Sequence, residues 1–193
     1  MDHIIKSYHY SSMLLDKSID YIQNINNKTK TNRVSPSRNT NFLKTLYNLT
    51  YTSTEIIERI YLGNAFNAKD YNQLKQNNIG MIVNVTEEIP NYYLEDFMYT
   101  RIPIRDYNES SILEYLDITI TKIHKYLEDN PDKNVFIHCF MGSSRSASVV
   151  IAYLIKYNQM RYDDAYEFIK SKRPIVNLNL SFREQLIKFE KEN

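Results

Sequence analysis

The sequence predicts an α/β fold with a central, mostly parallel sheet of about five strands flanked by helices. Short apolar segments with the length of buried strands alternate with longer segments in which apolar residues recur every three or four positions. Strands that alternate with helices favour parallel pairing, and helices then cover both faces of the sheet. The chain has 193 residues, 42% of them hydrophobic, which allows one domain with a packed core and an extension.

The regular pattern begins near residue 54. It predicts a strand over 56–62, a helix over 68–76, a buried strand over 80–85 and another strand over 98–104. The last of these ends at a polar run, which indicates a surface loop before the next helix.

A long helix is predicted after that loop. Ser111 and Glu114 have the spacing of a capping box, with Ser111 as the N-cap and Glu114 reaching back to its amide. The helix should end near Asp129, before a proline. Its apolar stripe is formed by Leu116, Ile120, Ile123 and Tyr126.

The remaining elements complete the alternation. A short apolar strand is predicted over 134–138, followed by helices over 144–157, 162–171 and 179–191. Asn179 is placed to act as the N-cap of the last helix.

Residues 1–50 are predicted to be an N-terminal extension to a domain that spans 51–193. Two short amphipathic helices are expected in it, over about 11–25 and 41–49, with an almost wholly polar linker between them. Such a segment is typical of a mobile or packed-on terminus. A docking or dimerising arm is the alternative, which the sequence does not separate from it, and the oligomeric state is left open.

Composition and charge exclude several classes of function. A net charge of +1 gives no argument for nucleic acid or an anionic membrane as the partner. The longest apolar run, within 147–155, is far shorter than the ~20 residues that span a bilayer. One cysteine and four histidines cannot build a Cys-rich zinc site. A single cysteine and no visible signal peptide predict a reducing, cytoplasmic location.

The segment 135–146 carries the chemistry. It places a cysteine at the end of a buried strand, then a loop, then an arginine and a serine that open a helix. The amides of such a loop converge with the helix N-terminus and form an anion site, and Gly142 lets the backbone approach the ligand. Arg145 can hold two phosphate oxygens through its planar fork. Cys139 lies in the same positive potential, which favours the nucleophilic thiolate.

The spacing of this motif decides against a simple structural cysteine. An isolated cysteine is most often a small buried hydrophobe. Given the one cysteine, chance would place His, Gly, Arg and Ser or Thr at these four offsets in roughly two cases in a million, from the frequencies in this chain.

The motif His-Cys-x-x-Gly-x-x-Arg-Ser, over 138–146, resembles the signature of cysteine-dependent phosphatases. From about 57 to 191 the chain resembles the small, atypical dual-specificity protein phosphatases. Other resembling segments lie at 60–65, 83–91, 102–106, 146–154, 165–175 and 184–186. The resemblance implies an enzyme that needs neither metal nor cofactor. It would hydrolyse phosphotyrosine and phosphoserine/threonine in phosphorylated proteins through a phosphocysteine.

The resemblance also implies a role for each site residue. Cys139 would attack phosphorus, while Arg145 and the loop amides stabilise the equatorial oxygens. Ser146 would hydrogen-bond the sulfur and His138 would help to favour the thiolate. The phosphate-binding loop would comprise Phe140, Met141, Gly142, Ser143, Ser144 and Arg145.

Asp106 is the candidate general acid, and later the general base. It lies 33 residues before Cys139, on the loop that precedes the long helix, which suits the family. On its own an Asp after Pro103 is typical of a turn, so the assignment depends on the cysteine motif. Asn179 matches a supporting asparagine of the family.

Two alternative functions remain open. An RNA 5′-phosphatase on the same fold would be expected to have a basic patch around the pocket, which the overall charge does not supply. A catalytically weak phosphoprotein-binding module would use the same loop without turnover, although both Cys139 and Asp106 are present here. A phosphoinositide is disfavoured because the loop between Cys139 and Arg145 contains no lysine.

Overall fold

The computed structural model describes residues 51–107 and 110–193. The predicted extension over 1–50 and its two helices lie outside the described residues. The strands are β1 (Thr54–Ile57), β2 (Ile60–Gly63), β3 (Ile79–Asn84), β4 (Met98–Arg101) and β5 (Asn134–His138). The helices are α1 (Ala65–Lys69), α2 (Tyr71–Gln76), α3 (Leu113–Asp129), α4 (Arg145–Asn158), α5 (Tyr162–Lys172) and α6 (Leu180–Glu192).

The five strands form one sheet in the order β1-β2-β5-β3-β4. All neighbouring pairs are parallel except β1 and β2, which are antiparallel. This arrangement confirms the predicted fold class. Because β5 is the central strand, the cysteine motif begins in the middle of the carboxyl edge of the sheet, where open α/β sheets bind their ligands.

Alternate residues of β5 supply two separate cores, one on each face of the sheet. Val135 and Ile137 belong to the larger core, which includes the buried side chains of α3 to α6. Phe136 points to the opposite face and packs in a smaller core with Ala68 and Leu74 from α1 and α2. The period of two along the strand fixes both contacts. α4 is buried from Arg145 to Ile155, so the start of this helix is held firmly against the sheet.

The single strand predicted over 56–62 is wrong, because a tight turn divides it into the hairpin of β1 and β2. Arg59 occupies that turn with a φ of 68°, a conformation that an arginine rarely adopts. Its guanidinium donates hydrogen bonds to the carbonyls of Leu127, Asn130 and Lys133, at and beyond the end of α3. These distant contacts stabilise a turn that the local apolar pattern did not indicate.

The single helix predicted over 68–76 is also wrong. Asp70 has an extended backbone between α1 and α2, with φ −86° and ψ 90°. Its carboxylate accepts a hydrogen bond from the Gln73 amide at 3.0 Å and caps α2. A short polar side chain that caps the next turn is a strong competitor to a continuous helix.

The predicted capping box at the start of α3 does not form. The helix begins at Leu113 without a cap from its own side chains. Instead, Oε1 of Gln185 in α6 accepts hydrogen bonds from the amides of Ile112 at 2.8 Å and Leu113 at 2.9 Å. Gln185, more than 70 residues away in the sequence, therefore caps the helix in place of Ser111.

Candidate active site

Cys139 follows the last residue of β5 and is the first residue of the loop that leads into α4. It is 1% exposed, and it belongs to the larger core. Its sulfur accepts a hydrogen bond from the amide of Gly142 at 3.2 Å and from the hydroxyl of Ser146 at 3.2 Å. The structure therefore contains the predicted contact between Ser146 and the sulfur, and both donors favour a negatively charged sulfur.

The loop over 139–145 is anchored by three carbonyl groups that face away from its centre. The carbonyl of Phe140 accepts from the Ala65 amide at 3.2 Å, and that of Ser143 accepts from the Asn177 amide at 2.9 Å. The carbonyl of Gly142 accepts from the guanidinium of Arg173 at 3.0 Å.

This anchoring decides where the amides of the loop point. In a trans peptide the N–H of the following residue points opposite to the carbonyl. The outward carbonyls therefore turn the N–H groups of Met141, Ser143 and Ser144 toward the centre of the loop, where the amide of Gly142 already contacts the sulfur. The result is an anion-binding cradle at the N-terminus of α4.

Gly142 is required by this geometry. Its φ is +70°, and a Cβ at this position would lie 2.4 Å from the carbonyl oxygen of Gly63 at the end of β2. A real Cβ never approaches a backbone oxygen so closely, and the neighbour is backbone that cannot move aside. The loop thus packs directly on the carboxyl end of the adjacent strand, as only glycine allows.

Arg145 is buried beside the cradle. Its guanidinium donates to both carboxylate oxygens of Glu88, at 3.0 and 2.8 Å, and to the carbonyl of Ile104 at 3.1 Å. Burial lowers the pKa of Arg145, but its bond to Glu88 and the charges of Cys139, Glu88 and Asp106 outweigh that effect and raise the pKa overall. The side chain is thus a fixed cation.

One donor of Arg145 is left over. Nε is buried and has no hydrogen-bond partner among the residues that the structure describes. The carboxylate oxygen Oδ2 of Asp106 lies 3.7 Å from it, beyond hydrogen-bond distance. A buried unpaired donor costs free energy unless a ligand satisfies it, and a phosphate oxygen next to the cradle would do so.

Asp106 lies on the loop after β4 and contacts the cradle at Ser144. Its oxygen Oδ1 accepts hydrogen bonds from the hydroxyl of Ser144 at 2.8 Å and from the side-chain amide of Asn179 at 2.7 Å. Asn179 is at the same time the N-cap of α6, because its Oδ1 accepts from the amide of Phe182 at 2.8 Å. The N-cap predicted from sequence is thus confirmed.

His138 is buried under the cradle, with its ring stacked on Phe136 at a centroid distance of 5.5 Å. Burial lowers the pKa of His138 to about 4, so the ring is neutral at pH 7. Its Nδ1 lies 3.4 Å from the carbonyl oxygen of Cys139. An influence of His138 on the thiol must therefore act through this carbonyl and the packing of the strand, since a neutral imidazole supplies no positive charge.

Sequence reasoning gave no role to two residues that hold the cradle. Glu88 follows β3, the neighbour of β5, and clamps Arg145. Arg173, just after α5, is 0% exposed, donates to Gly142 and also to the Thr54 hydroxyl at 3.1 Å. Burial lowers the pKa of Arg173 to about 10, so a second cation lies beneath the loop at neutral pH. Nothing in the sequence separates such a buried arginine from a surface one.

Metal chemistry has no evident site in this part of the chain. Within residues 51–107 and 110–193, no group of three or more His, Cys, Asp or Glu side chains is placed to hold a metal ion. Over the same residues, no helix combines the length and the apolar character needed to cross a membrane.

Residues 60–192 match the family described as "Dual specificity phosphatase, catalytic domain". The match covers well over half of the chain, so the chain belongs to this family. The prediction from the cysteine motif is confirmed, and so is the predicted fold of the family.

Individual relatives agree with the family. The chain is 36% identical over 138 residues to dual specificity protein phosphatase 1-A of Xenopus laevis, covering 72% of this chain but 37% of that protein. It is 36% identical over 140 residues to human dual specificity protein phosphatase 21, covering 72% of this chain and 73% of that protein. Its fold is similar to the crystal structure of human DUSP28, with a TM-score of 0.69, 26% identity, and coverage of 72% of this chain and 93% of that one.

Proposed function

We propose that this chain is a protein phosphatase that hydrolyses phosphotyrosine and phosphoserine/threonine through a phosphocysteine intermediate. The observation that carries the proposal is the cradle itself. Because the loop carbonyls are hydrogen-bonded on the outside, the loop amides surround the sulfur of Cys139. Nε of Arg145, which has no hydrogen-bond partner among the described residues, lies beside them. A tetrahedral phosphate dianion is the ligand that such a set of donors fits best.

In the first step the thiolate of Cys139 attacks phosphorus. A P–S bond forms while the P–O bond to the leaving oxygen breaks, and Asp106 donates its proton to that oxygen. The loop amides and Arg145 stabilise the charge on the three equatorial oxygens as the phosphoryl group passes between sulfur and oxygen.

In the second step water attacks the phosphocysteine. Asp106, now ionised, takes a proton from the water as the new P–O bond forms and the P–S bond breaks. The hydroxyl of Ser146, which lies 3.2 Å from the sulfur, stabilises the departing thiolate. Inorganic phosphate leaves and both groups return to their starting protonation states.

The residues next to the cradle support a protein substrate over RNA or a phosphoinositide. Met141 is 48% exposed, Tyr107 58% and Leu180 67%, and each adjoins a site residue in the chain. Arg105, which precedes Asp106 in the chain, forms an ion pair with Glu87. Exposed apolar side chains at the entrance to the site suit a polypeptide better than a nucleic acid or a multiply phosphorylated headgroup. Both of those ligands need unpaired cations.

Phosphate release in the presence of EDTA tests this proposal. The substrates are a phosphotyrosine peptide, a phosphothreonine peptide, a phosphoinositide and a 5′-phosphorylated RNA, with Cys139→Ser as the blank. We expect release from both peptides by the wild type and none by the variant. Release from the lipid or the RNA alone would overturn the substrate class. Tight binding of the peptides without release by the wild type would replace the enzyme with a binding module.

A further inference from the structure

We propose that Ser144 and Asn179 are positioning residues that lock the carboxyl group of Asp106 in one rotation, with Oδ2 as the oxygen that delivers the proton. The inference rests on the proposed function. Through these two side chains the site would release poor leaving groups. These are the alkoxides of serine and threonine, in contrast to the phenolates of aryl phosphates.

Oδ1 of Asp106 accepts two hydrogen bonds, from the hydroxyl of Ser144 at 2.8 Å and from the side-chain amide of Asn179 at 2.7 Å. The Ser144 hydroxyl oxygen in turn accepts from the backbone amide of Asn179 at 3.4 Å. Because that amide can only donate, the hydroxyl proton of Ser144 is directed to Asp106. An oxygen that receives two donors acts as the carbonyl oxygen of a protonated carboxyl group.

The second step concerns the other carboxyl oxygen. Oδ2 lies 3.7 Å from Nε of Arg145, the buried donor that has no hydrogen-bond partner within 51–107 and 110–193. A phosphoryl oxygen bound to that donor would place the leaving oxygen on the same side of Asp106. The proton on Oδ2 therefore faces the bond that breaks, and rotation of the carboxyl group would turn it away.

The third step is that Asn179 cannot turn its amide group. Its Oδ1 is occupied by the amide of Phe182 at the start of α6, so Nδ2 must face Asp106. The rigid end of a 13-residue helix thus fixes the acid.

The same helix also holds the other side of the acid loop. Gln185 accepts from the amides of Ile112 and Leu113, and its Nε2 donates to the carbonyl of Ser110 at 3.0 Å. All of its polar atoms are thus committed to the segment between Asp106 and α3, or to Ser181 in its own helix. α6 therefore positions the acid loop through Asn179 and Gln185, which lie six residues apart in the sequence.

Leaving-group dependence separates positioning of the acid from general damage. p-Nitrophenyl phosphate has a good leaving group that needs little protonation, whereas the alkoxide of phosphothreonine cannot depart without a proton. Misplaced acid therefore slows the peptide and spares the aryl ester. Damage to the cradle would slow both.

Two variants remove one donor each without unfolding α6. Ser144→Ala deletes the hydroxyl, and Asn179→Ser keeps a good N-cap but is too short to reach Asp106. We expect each to lower kcat on a phosphothreonine peptide about tenfold more than it lowers kcat on p-nitrophenyl phosphate. Ser171→Ala, on the exposed side of α5, is the matched control and should change neither rate.

A double-mutant cycle with Asp106→Asn completes the test. If the two residues act through the acid, neither substitution should lower the peptide rate further once Asp106 is replaced. Equal losses on both substrates, or losses that persist in the Asp106→Asn background, would overturn the inference. A wild type that releases phosphate from neither substrate would instead contradict the proposed function.

Discussion

Two loops meet at the site, and they are held by different kinds of contact. The loop over 139–145 is anchored through its own backbone, by carbonyls that accept from Ala65, Arg173 and Asn177. The loop that carries Asp106 is anchored by side chains from elsewhere in the chain. The first arrangement depends on a backbone conformation, and the second depends on individual polar groups.

This difference determines what a substitution does. A backbone cradle is lost as a unit when one residue prevents its conformation, because every amide depends on the same turn. Side-chain anchors are removed one at a time, and each removal leaves the others in place. We therefore expect severe, substrate-independent losses from the phosphate-binding loop and graded, substrate-dependent losses from the acid loop.

The largest effect is expected for Gly142→Ala. A methyl group would lie 2.4 Å from the Gly63 carbonyl, and alanine resists a φ of +70°. The loop must shift, so several amides leave the phosphate. We expect kcat/KM to fall about 10²–10³-fold on every substrate, as when an oxyanion donor is removed. Steady-state kinetics on an aryl phosphate and a phosphopeptide measure this.

Gly80→Ala is the matched control for that experiment. Its Cβ would lie 2.1 Å from the Tyr126 hydroxyl, at the opposite end of β3 from the site. It should lower the midpoint of thermal unfolding while leaving kcat/KM unchanged. A Gly142→Ala enzyme with full activity would show that the cradle does not bind the phosphate.

The next effect concerns stability at acidic pH and tests the environment of His138. Its pKa is about 4 in the folded protein and about 6.5 when unfolded, so the unfolded chain binds a proton first as the pH falls. The difference in proton binding by His138 has no effect on stability at pH 7. As the pH falls from 6.5 to 4 it lowers the free energy of unfolding progressively, by up to ~3 kcal/mol. Urea unfolding at several pH values measures the slope.

Ring NMR signals assign that slope to His138. In the folded protein the His138 imidazole should stay neutral down to about pH 5. A His138 ring that titrates near pH 6.5 would contradict the buried, neutral histidine beneath the cradle.

A smaller effect is expected for Glu88→Gln, which tests a side-chain anchor of Arg145. The variant loses the charge on a carboxylate that binds two nitrogens of Arg145, but the Ile104 carbonyl still holds the guanidinium. We expect kcat/KM to fall roughly tenfold on all substrates, since a misplaced Arg145 stabilises the equatorial oxygens less well.

Glu87→Gln is the adjacent control. Glu87 pairs with the half-exposed Arg105 and does not contact Arg145, so its loss should leave kcat/KM within about twofold of the wild type. Equal losses from the two variants would show that overall negative charge, and not the contact to Arg145, matters.

The sequence predicted the backbone-anchored loop well because its information is local. A buried strand, a glycine at the tight turn and an arginine at a helix start lie within twelve residues, and each has its own conformational requirement. The alternation of strands and helices likewise predicted the sheet, since burial on both faces leaves a readable pattern.

The anchors supplied from a distance could not be predicted. Gln185 replaces the expected cap of Ser111, and Arg59 divides a strand by binding the far end of α3. Glu88 and Arg173 reach the site only because β3 neighbours β5 and α5 ends below the loop. Such contacts depend on the assembled fold, and a single sequence records neither partner as unusual.

Trapping the phosphocysteine shows whether Cys139 takes up the phosphoryl group. Wild-type enzyme and Ser146→Ala are mixed with a phosphotyrosine peptide, quenched in acid within milliseconds, digested and analysed by mass spectrometry. We expect one phosphoryl group on Cys139, in a larger fraction of Ser146→Ala because its thiolate leaves more slowly. Phosphate release by Cys139→Ser at the wild-type rate, or a phosphoryl group on another residue, would show that Cys139 is not the nucleophile.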